Sequence, residues 1–448
     1  MPDTLDDLTH ALVDAARKAG AGAADAIAMR GQSVIVDMRG GTLEQAERAE
    51  GVDIGLRVLV GRRQANVSAS DTRPETIAAL AERAVAMARE APEDPFAGLA
   101  DATQLSVRRD AAGLDLCDPG PAPAPDALMR MAEEAEAAAL GVAGVAQVQS
   151  ASAAWSRREM HIAASNGFSG GYARSDTSLS CVAIAGTGTG MERDHDADSR
   201  VFAADLRDPS EIGRRAGERA AERTGARRPR TGAYPVIFDE RVAGTLIGHL
   251  LSAANGAAVA RGSSWLRDRI GTPVLPDTLD LREDPHRVRV SGSRLFDAEG
   301  LPTAPRAIVE GGVLCGYTLD LASARKLGMT PTGNAARGVS GVPSPATWNV
   351  ALTQGEQSRA DLLREMGTGL LVTSLIGATI NPNTGDYSRG AAGFWVEGGG
   401  ISHPVNECTI AGSLPEMLRR ITPANDARLH LSRVVPSLLV EGLTLAGA

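Results

Sequence analysis

Aromatic side chains are scarce in this 448-residue chain, which has four Trp, four Tyr and six Phe. Lysine is almost missing: Lys18 and Lys326 are the two, and the other basic residues are arginine, a skew of composition rather than of function. An excess of positive charge is missing as well. The formal net charge of −9 argues against broad binding to nucleic acid or anionic membranes, both of which need basic surface to displace counterions or meet headgroups. The four cysteines, Cys117, Cys181, Cys315 and Cys408, stand far apart, with no CxxC pair for a zinc ribbon or redox couple, and read as reduced, mostly buried thiols. Long hydrophobic runs are also lacking. Stretches such as GLLVTSLIGATI, Gly369 to Ile380, are too short and too polar to span a bilayer. The N-terminus spaces Leu5, Leu8, Leu12 and Ala15 as an amphipathic helix with acids between them, unlike a signal peptide. A soluble, cytoplasmic protein is expected.

What is present is ordinary globular composition, 43 % hydrophobic and 23 % charged, with 50 glycines that imply many turns. The length exceeds the roughly 250 to 300 residues at which single cores stop growing, so two or three domains are expected. After the first helix, SVIVDM (Ser33 to Met38) and GVDIGLRVLV (Gly51 to Val60), broken by Gly40-Gly41 and Gly61, read as antiparallel strands. Apolar residues at Ile77, Leu80, Ala84 and Met87 predict a helix over 74–90, and a second covers 126–140. The intervening DPGPAPAP, Asp118 to Pro125, reads as a linker.

Strand patterns return from Val145 to Gly188, with Asn166-Gly167 and Gly170-Gly171 offered as hairpin turns. A helix over 209–224 and the basic run RRPR (Arg227 to Arg230) mark the main boundary. Beyond it, YPVIF (Tyr234 to Phe238) reads as a strand leading into a helix capped by Asp239. The rest is mostly strand and glycine turn, with one helix near Ser413 to Ile421. The expected units are 1–117, a helix/strand/helix region; 126–228, a second helix and antiparallel-strand region; and 231–448, a strand-rich C-terminal domain. Segregation of helices and strands predicts an α+β fold of mixed, mostly antiparallel strands with flanking helices.

No histidine has ligand spacing with another: HExxH, HExxxH and HxH are all absent. His249 reads as a structural helical histidine. The acidic run ERDHDAD, Glu192 to Asp198, reads as a solvated loop without the glycine and spacing of a calcium loop. His403 and Cys408 could form a base and thiolate, but simple strand alternation puts residues five apart on opposite faces, so core packing is expected for Cys408. Walker loops, dinucleotide fingerprints and nucleophile elbows lack credible strand-to-helix settings.

Against this background the segment TGDYSRGAAGFW, Thr384 to Trp395, places Tyr387, Phe394 and Trp395 beside three glycines and Arg389. Glycine permits positive φ and close backbone approach, while Tyr387 and Arg389 can donate hydrogen bonds, so the segment reads either as a loop for an extended ligand or as a tight turn before a strand with its aromatics in the core. With the following VEGGGISHPVNECTIAG it resembles the C-terminal signature of the PmbA/TldE proteins, partners of TldD. YPVIFDERVAGTLIGHLL (Tyr234 to Leu251), GLPTAPRAIVEGGVLCGYTLD (Gly300 to Asp320) and TGNAARG (Thr332 to Gly338) agree in the same order.

The resemblance implies a two-subunit protease acting on unfolded or flexible peptides, in which TldD-type subunits bind zinc through HExxxH and a distal cysteine. Aligned on the preceding strand, that window falls here on IGHLLS, with Ile247, Gly248 and Ser252 where His, Glu and His would stand, and the distal segment Leu429 to Val440 has no cysteine. The chain is therefore expected to be the metal-free subunit, with no catalytic residue and no cofactor of its own, and with zinc in a TldD-like, HExxxH-bearing partner. Tyr387, Ser388, Arg389, Gly390 and Gly393 are the candidate peptide-binding residues, and backbone groups of Gly385 to Gly393 are expected to pair with an extended peptide. Isolated, the chain is expected to form a homodimer. Two rival readings are a non-catalytic interaction protein of the gyrase-modulator kind and an autonomous metallopeptidase using His249, His430 and a carboxylate.

Overall fold

The computed structural model describes residues 4–447. Helix α1 (Leu5–Lys18) starts at a reciprocal cap between Thr4 and Asp7 and carries Arg17 and Lys18 in its last turn, each favourable to the helix dipole. Strands β1 (Ala23–Arg39), β2 (Thr42–Val60) and β3 (Arg63–Ala69) follow, then α2 (Pro74–Glu90) and α3 (Pro125–Leu140), both opened by proline in the first turn. β4 (Val145–Ala164), β5 (Ser169–Ala185), β6 (Glu192–Arg200) and α4 (Pro209–Glu222) complete the N-terminal part. All six strands form one sheet in the order β3-β2-β1-β4-β5-β6. The two expected regions 1–117 and 126–228 are thus joined through the antiparallel β1–β4 pairing, from Asp25 opposite Ala164 to Met38 opposite Ala151.

Strand alternation divides this sheet into two chemically different faces. Ala24, Ala26 and Ala28 pack under α1 and α2, and Val34, Val36, Met38, Trp155 and Leu179 pack under α3 and α4. The intervening residues, among them Asp25, Ile27 and Met29, face the C-terminal domain. Ile27, Ile162 and Phe168 meet Phe296 there. At Gly55 the contact is so close that a Cβ would collide with the Val339 carbonyl.

The C-terminal domain begins with β7 (Gly232–Phe238) and α5 (Glu240–Ala253), whose N-cap Asp239 accepts from the Arg241 backbone. α6 (Gly256–Ala260), β8 (Leu281–Glu283), β9 (Arg306–Glu310), β10 (Val313–Leu314), α7 (Leu321–Leu327), β11 (Ala335–Ala336), β12 (Ser344–Pro345) and β13 (Val350–Leu352) lie between. α8 (Arg359–Met366), β14 (Gly369–Ile380), β15 (Asp386–Glu397), β16 (Gly400–Ser413), α9 (Leu414–Leu418), β17 (Ile421–Pro423), β18 (Arg433–Val434) and β19 (Leu438–Ala446) finish the chain. The larger sheet runs β16-β15-β14-β7-β19-β17, and a further β16–β19 pairing closes five of these strands on themselves. The fold is α+β, as expected, and α5 packs its Ala243, Leu246, Ile247 and Leu250 into the main core. Among the described residues no helix is long and apolar enough to cross a membrane.

Several local expectations change. The ERDHDAD segment is strand β6, not a loop: Asp194, Asp196 and Asp198 alternate inward while His195 is exposed. Arginines saturate those carboxylates. Arg223 and Arg241 hold Asp194, Arg207 (2.8 Å) and Arg219 (2.7 Å) hold Asp196, and Arg200 holds Asp198 at 3.0 Å. Gly170-Gly171 lies inside β5, because the hairpin turns at Asn166-Gly167. The helix expected near Ser413 to Ile421 is only Leu414–Leu418.

Candidate functional site

The segment from Asp386 to Glu397 is β15, an interior strand paired to β14 on one side and β16 on the other. Its alternation decides which side chains point where. Tyr387 is 1 % exposed and lies beneath α5, ring edge to ring face with His249 at 5.9 Å between centroids. Burial pushes the Tyr387 hydroxyl up to about 12, although Arg389 pulls the other way. Ser388 pairs with Thr379 and Ala411, and Gly390 with Ile376 and Thr409. Gly393 lies against β14, where a Cβ would strike the Leu371 carbonyl, so its glycine is a packing requirement. Arg389 donates from Nε to the Gly377 carbonyl (2.6 Å), fastening the irregular stretch of β14 between Ile376 and Thr379.

This arrangement corrects one expectation. Because β15 is bonded on both edges, its backbone has no free ladder for an added peptide strand, and what it can offer outward is side-chain chemistry.

The sequence reading missed Arg433, the first residue of β18. Gly244 and Gly248 are one turn apart on α5, and without side chains they leave a trough along which Arg433 runs: its Nη1 donates to the Gly244 carbonyl (3.3 Å) and its guanidinium covers the Cβ position of Gly248. The glycine pair was the available signal, but nothing local names the distant partner. Burial, then Arg389 and Arg433, hold the His249 imidazole below its ordinary range. Its Nε2 is buried without a hydrogen-bond partner.

At the HExxxH window, Ile247 is fully buried in the core, Gly248 has Arg433 over it, and the Ser252 hydroxyl donates to the Gly248 carbonyl at 2.8 Å. These residues do not fit zinc: an alkyl group, a hydrogen and a committed hydroxyl stand where nitrogen and oxygen ligands would be needed, beside a cation. His430 is placed elsewhere, its Nε2 3.3 Å from Asp198 Oδ1 on β6. Among the described residues, no three His, Cys, Asp or Glu side chains gather as a metal site. At β16 the alternation argument for His403 and Cys408 fails, because a bulge between Val405 and Cys408 shifts the strand's parity. Cys408 nevertheless packs in the core, donating to the Ala391 carbonyl, with its thiol pushed up to about 11 by burial.

Comparison with known proteins adds descent to this geometry. Three family models match in order: PmbA/TldA metallopeptidase domain 1 over residues 24–88, the central domain over 118–224 and the C-terminal domain over 231–447. The chain is 37 % identical to metalloprotease PmbA of Escherichia coli O157:H7 over 92 % of its own length and 90 % of that protein's. It is 36 % identical to the PmbA homolog of Haemophilus influenzae, covering 97 % and 94 %. A solved Bacteroides thetaiotaomicron structure, named as a proposed modulator of DNA gyrase, superposes with a TM-score of 0.91 at 27 % identity, covering 98 % of both chains. TldE from Thermococcus kodakarensis shares the fold with a TM-score of 0.85 at 21 % identity, over 98 % of this chain and 99 % of that one.

Proposed function

From the premise that the chain belongs to the PmbA/TldA metallopeptidase family, we propose that it is the metal-free, PmbA/TldE-type subunit of a two-subunit peptidase for unfolded or flexible peptides. A TldD-like subunit bearing HExxxH supplies the zinc, which activates water for peptide hydrolysis. The observation that carries the reading is the face of α5: Ile247, Gly248 and Ser252 lack donors for a metal, and Arg433 fills the place above Gly248. The subunit's part is to frame the cleft and hold the substrate chain.

Arg389 and Arg433 are cations on one side of that cleft, and neither has a carboxylate partner among the described residues. Such guanidiniums donate to the carbonyls of an extended peptide without reading its side chains. Tyr387 and Gly393 act from behind, the first supporting α5 and the second letting β14 approach β15. Ser388 and Gly390 hold the strand that presents Arg389.

The test is cleavage of an unstructured peptide by a TldD-like protein alone, by this chain alone and by the mixture. The reading expects turnover in the mixture only. Turnover by this chain alone, or a partner indifferent to its addition, overturns it.

A further inference from the structure

Between the N-terminal sheet and the C-terminal domain lies a cavity of about 470 Å³, a volume typical of small-ligand sites. Its floor follows from strand alternation: Ile27 and Met29 on β1, Met160 on β4, and Tyr172 and Arg174 on β5 all point away from the helices. Arg294 and Arg337 close it from the C-terminal domain, and Arg158 stands at the mouth. The walls are therefore part apolar and part guanidinium.

The lining carries more guanidinium than carboxylate. The Arg337 side chain is fully buried and pairs through Nη1 with Asp25, yet its Nε and Nη2 have no hydrogen-bond partner. Asp25 is already held by Arg57, whose Nε donates to it at 2.8 Å. The Arg294 guanidinium carbon lies over the Trp348 ring, 3.5 Å from its centroid, and its Nε donates to the Gly292 carbonyl at 3.4 Å, while Arg174 spends its donors on the Ser291 and Ser293 carbonyls and the Tyr172 hydroxyl. Among the described residues none of Arg158, Arg174 and Arg294 forms an ion pair. Asp176 is the one carboxylate in the lining, and it accepts from Ser199 at 2.6 Å.

Burying a cation without its counter-charge is costly, and leaving guanidinium donors unpaired adds to that cost. Burial accordingly pushes the Arg294 guanidinium down to about 10, and Arg294 and Arg174 together hold the Tyr172 phenol below its ordinary range despite burial.

We infer that this interdomain cavity binds a small organic acid, its carboxylate taken by Arg337 and Arg294 and its apolar body lying on Ile27, Met29 and Met160. A guanidinium fork matches a carboxylate bidentately, and the free Nε and Nη2 of Arg337 form one such fork. The cavity shares Asp176, Val201 and Ser291 with a neighbouring cleft of about 540 Å³, which gives the ligand a way in. The site is separate from the face of α5, and its test needs neither a partner subunit nor turnover.

The experiment is calorimetric titration of the full chain with the dipeptide Leu-Glu, with its carboxylate-free analogue Leu-Gln-amide and with inorganic phosphate. Saturable binding of Leu-Glu, at least tenfold tighter than the amide and than phosphate, is expected. Arg337→Gln should weaken it tenfold or more. Arg158→Gln, an exposed change that leaves the fold intact, should weaken it several-fold and lower its salt dependence. Absence of binding up to 10 mM, equal binding of the amide, phosphate binding as tight as the dipeptide, or an unchanged affinity in Arg158→Gln would each overturn the inference.

Discussion

Buried Asp297 and half-buried Glu299 form an acidic pair beside the domain interface, and their titration makes a quantitative prediction. Burial, then the charge of Asp297, pushes Glu299 up to about 8; burial pushes Asp297 up to about 6 against the backbone donors that hold it. Above the unfolded-state value of roughly 4.3 for Glu, the unfolded chain has released a proton that the folded chain keeps. Stability from this group is therefore present at low pH and lost as pH rises toward 8, after which both states are ionised and the slope vanishes. At 1.36 kcal/mol per pKa unit, a rise of this size has a ceiling of about 5 kcal/mol, and relaxation around the pair brings the expected loss to about 2–4 kcal/mol between pH 5 and 8.5.

Glu299→Gln tests the assignment, because the amide keeps a carbonyl oxygen to accept from the Leu321 backbone, which donates to Glu299 at 2.8 Å. Denaturant unfolding at half-unit pH steps should give equal stability at pH 5 and a variant more stable by about 2 kcal/mol or more at pH 8.5. Parallel stability curves for the two proteins would refute the reasoning, since they would place the pH dependence elsewhere.

Arg389→Ala should lower peptide turnover by the mixed complex by about tenfold or more, the cost of removing a charged donor being roughly 1.5–3 kcal/mol; a fall in melting temperature with turnover per folded complex unchanged would assign Arg389 to the bulge of β14 alone. Gly393→Ala should destabilise the C-terminal domain by more than about 3 kcal/mol, because its Cβ meets backbone that cannot yield, and an unaltered melting curve would contradict the β14–β15 geometry. Thiol labelling at pH 8 in native buffer should modify exposed Cys315 first and leave Cys181 and Cys408 untouched until unfolding, as their thiols are buried and pushed up to about 12 and about 11; mass spectrometry of the native protein reads the order.

Elements with local causes were legible. The helices at 74–90 and near 126–140 announce themselves by period and by proline at the start, and the Gly40-Gly41 turn by its glycines. What failed was whatever depends on neighbours distant in sequence. β6 reads as a solvated acidic loop because the arginines that neutralise Asp194 and Asp196 lie on other elements, Arg207 and Arg219 among them. β15 reads as a binding loop or a tight turn before a strand because its glycines suggest freedom, whereas Gly393 is small to admit the β14 backbone. At β16 a bulge breaks the parity on which a face assignment depends. Arg433 left no local mark at all.

That last residue changes how the absent metal motif should be understood. A window without three ligands would by itself leave a neutral gap on α5, open to water or to an imported ion. The chain instead supplies a guanidinium, threaded through the trough of Gly244 and Gly248, with Arg389 near enough for both to disfavour protonation of His249. A divalent cation brought to this face would meet two like charges, and a side chain at position 248 would displace Arg433 before reaching any substrate. Neutral His249 and the two arginines are suited to acceptor oxygens, which is the complement a peptide backbone presents. On the proposed reading, the two subunits place positive charge at one structural position in different forms, the one as a metal and the other as an arginine.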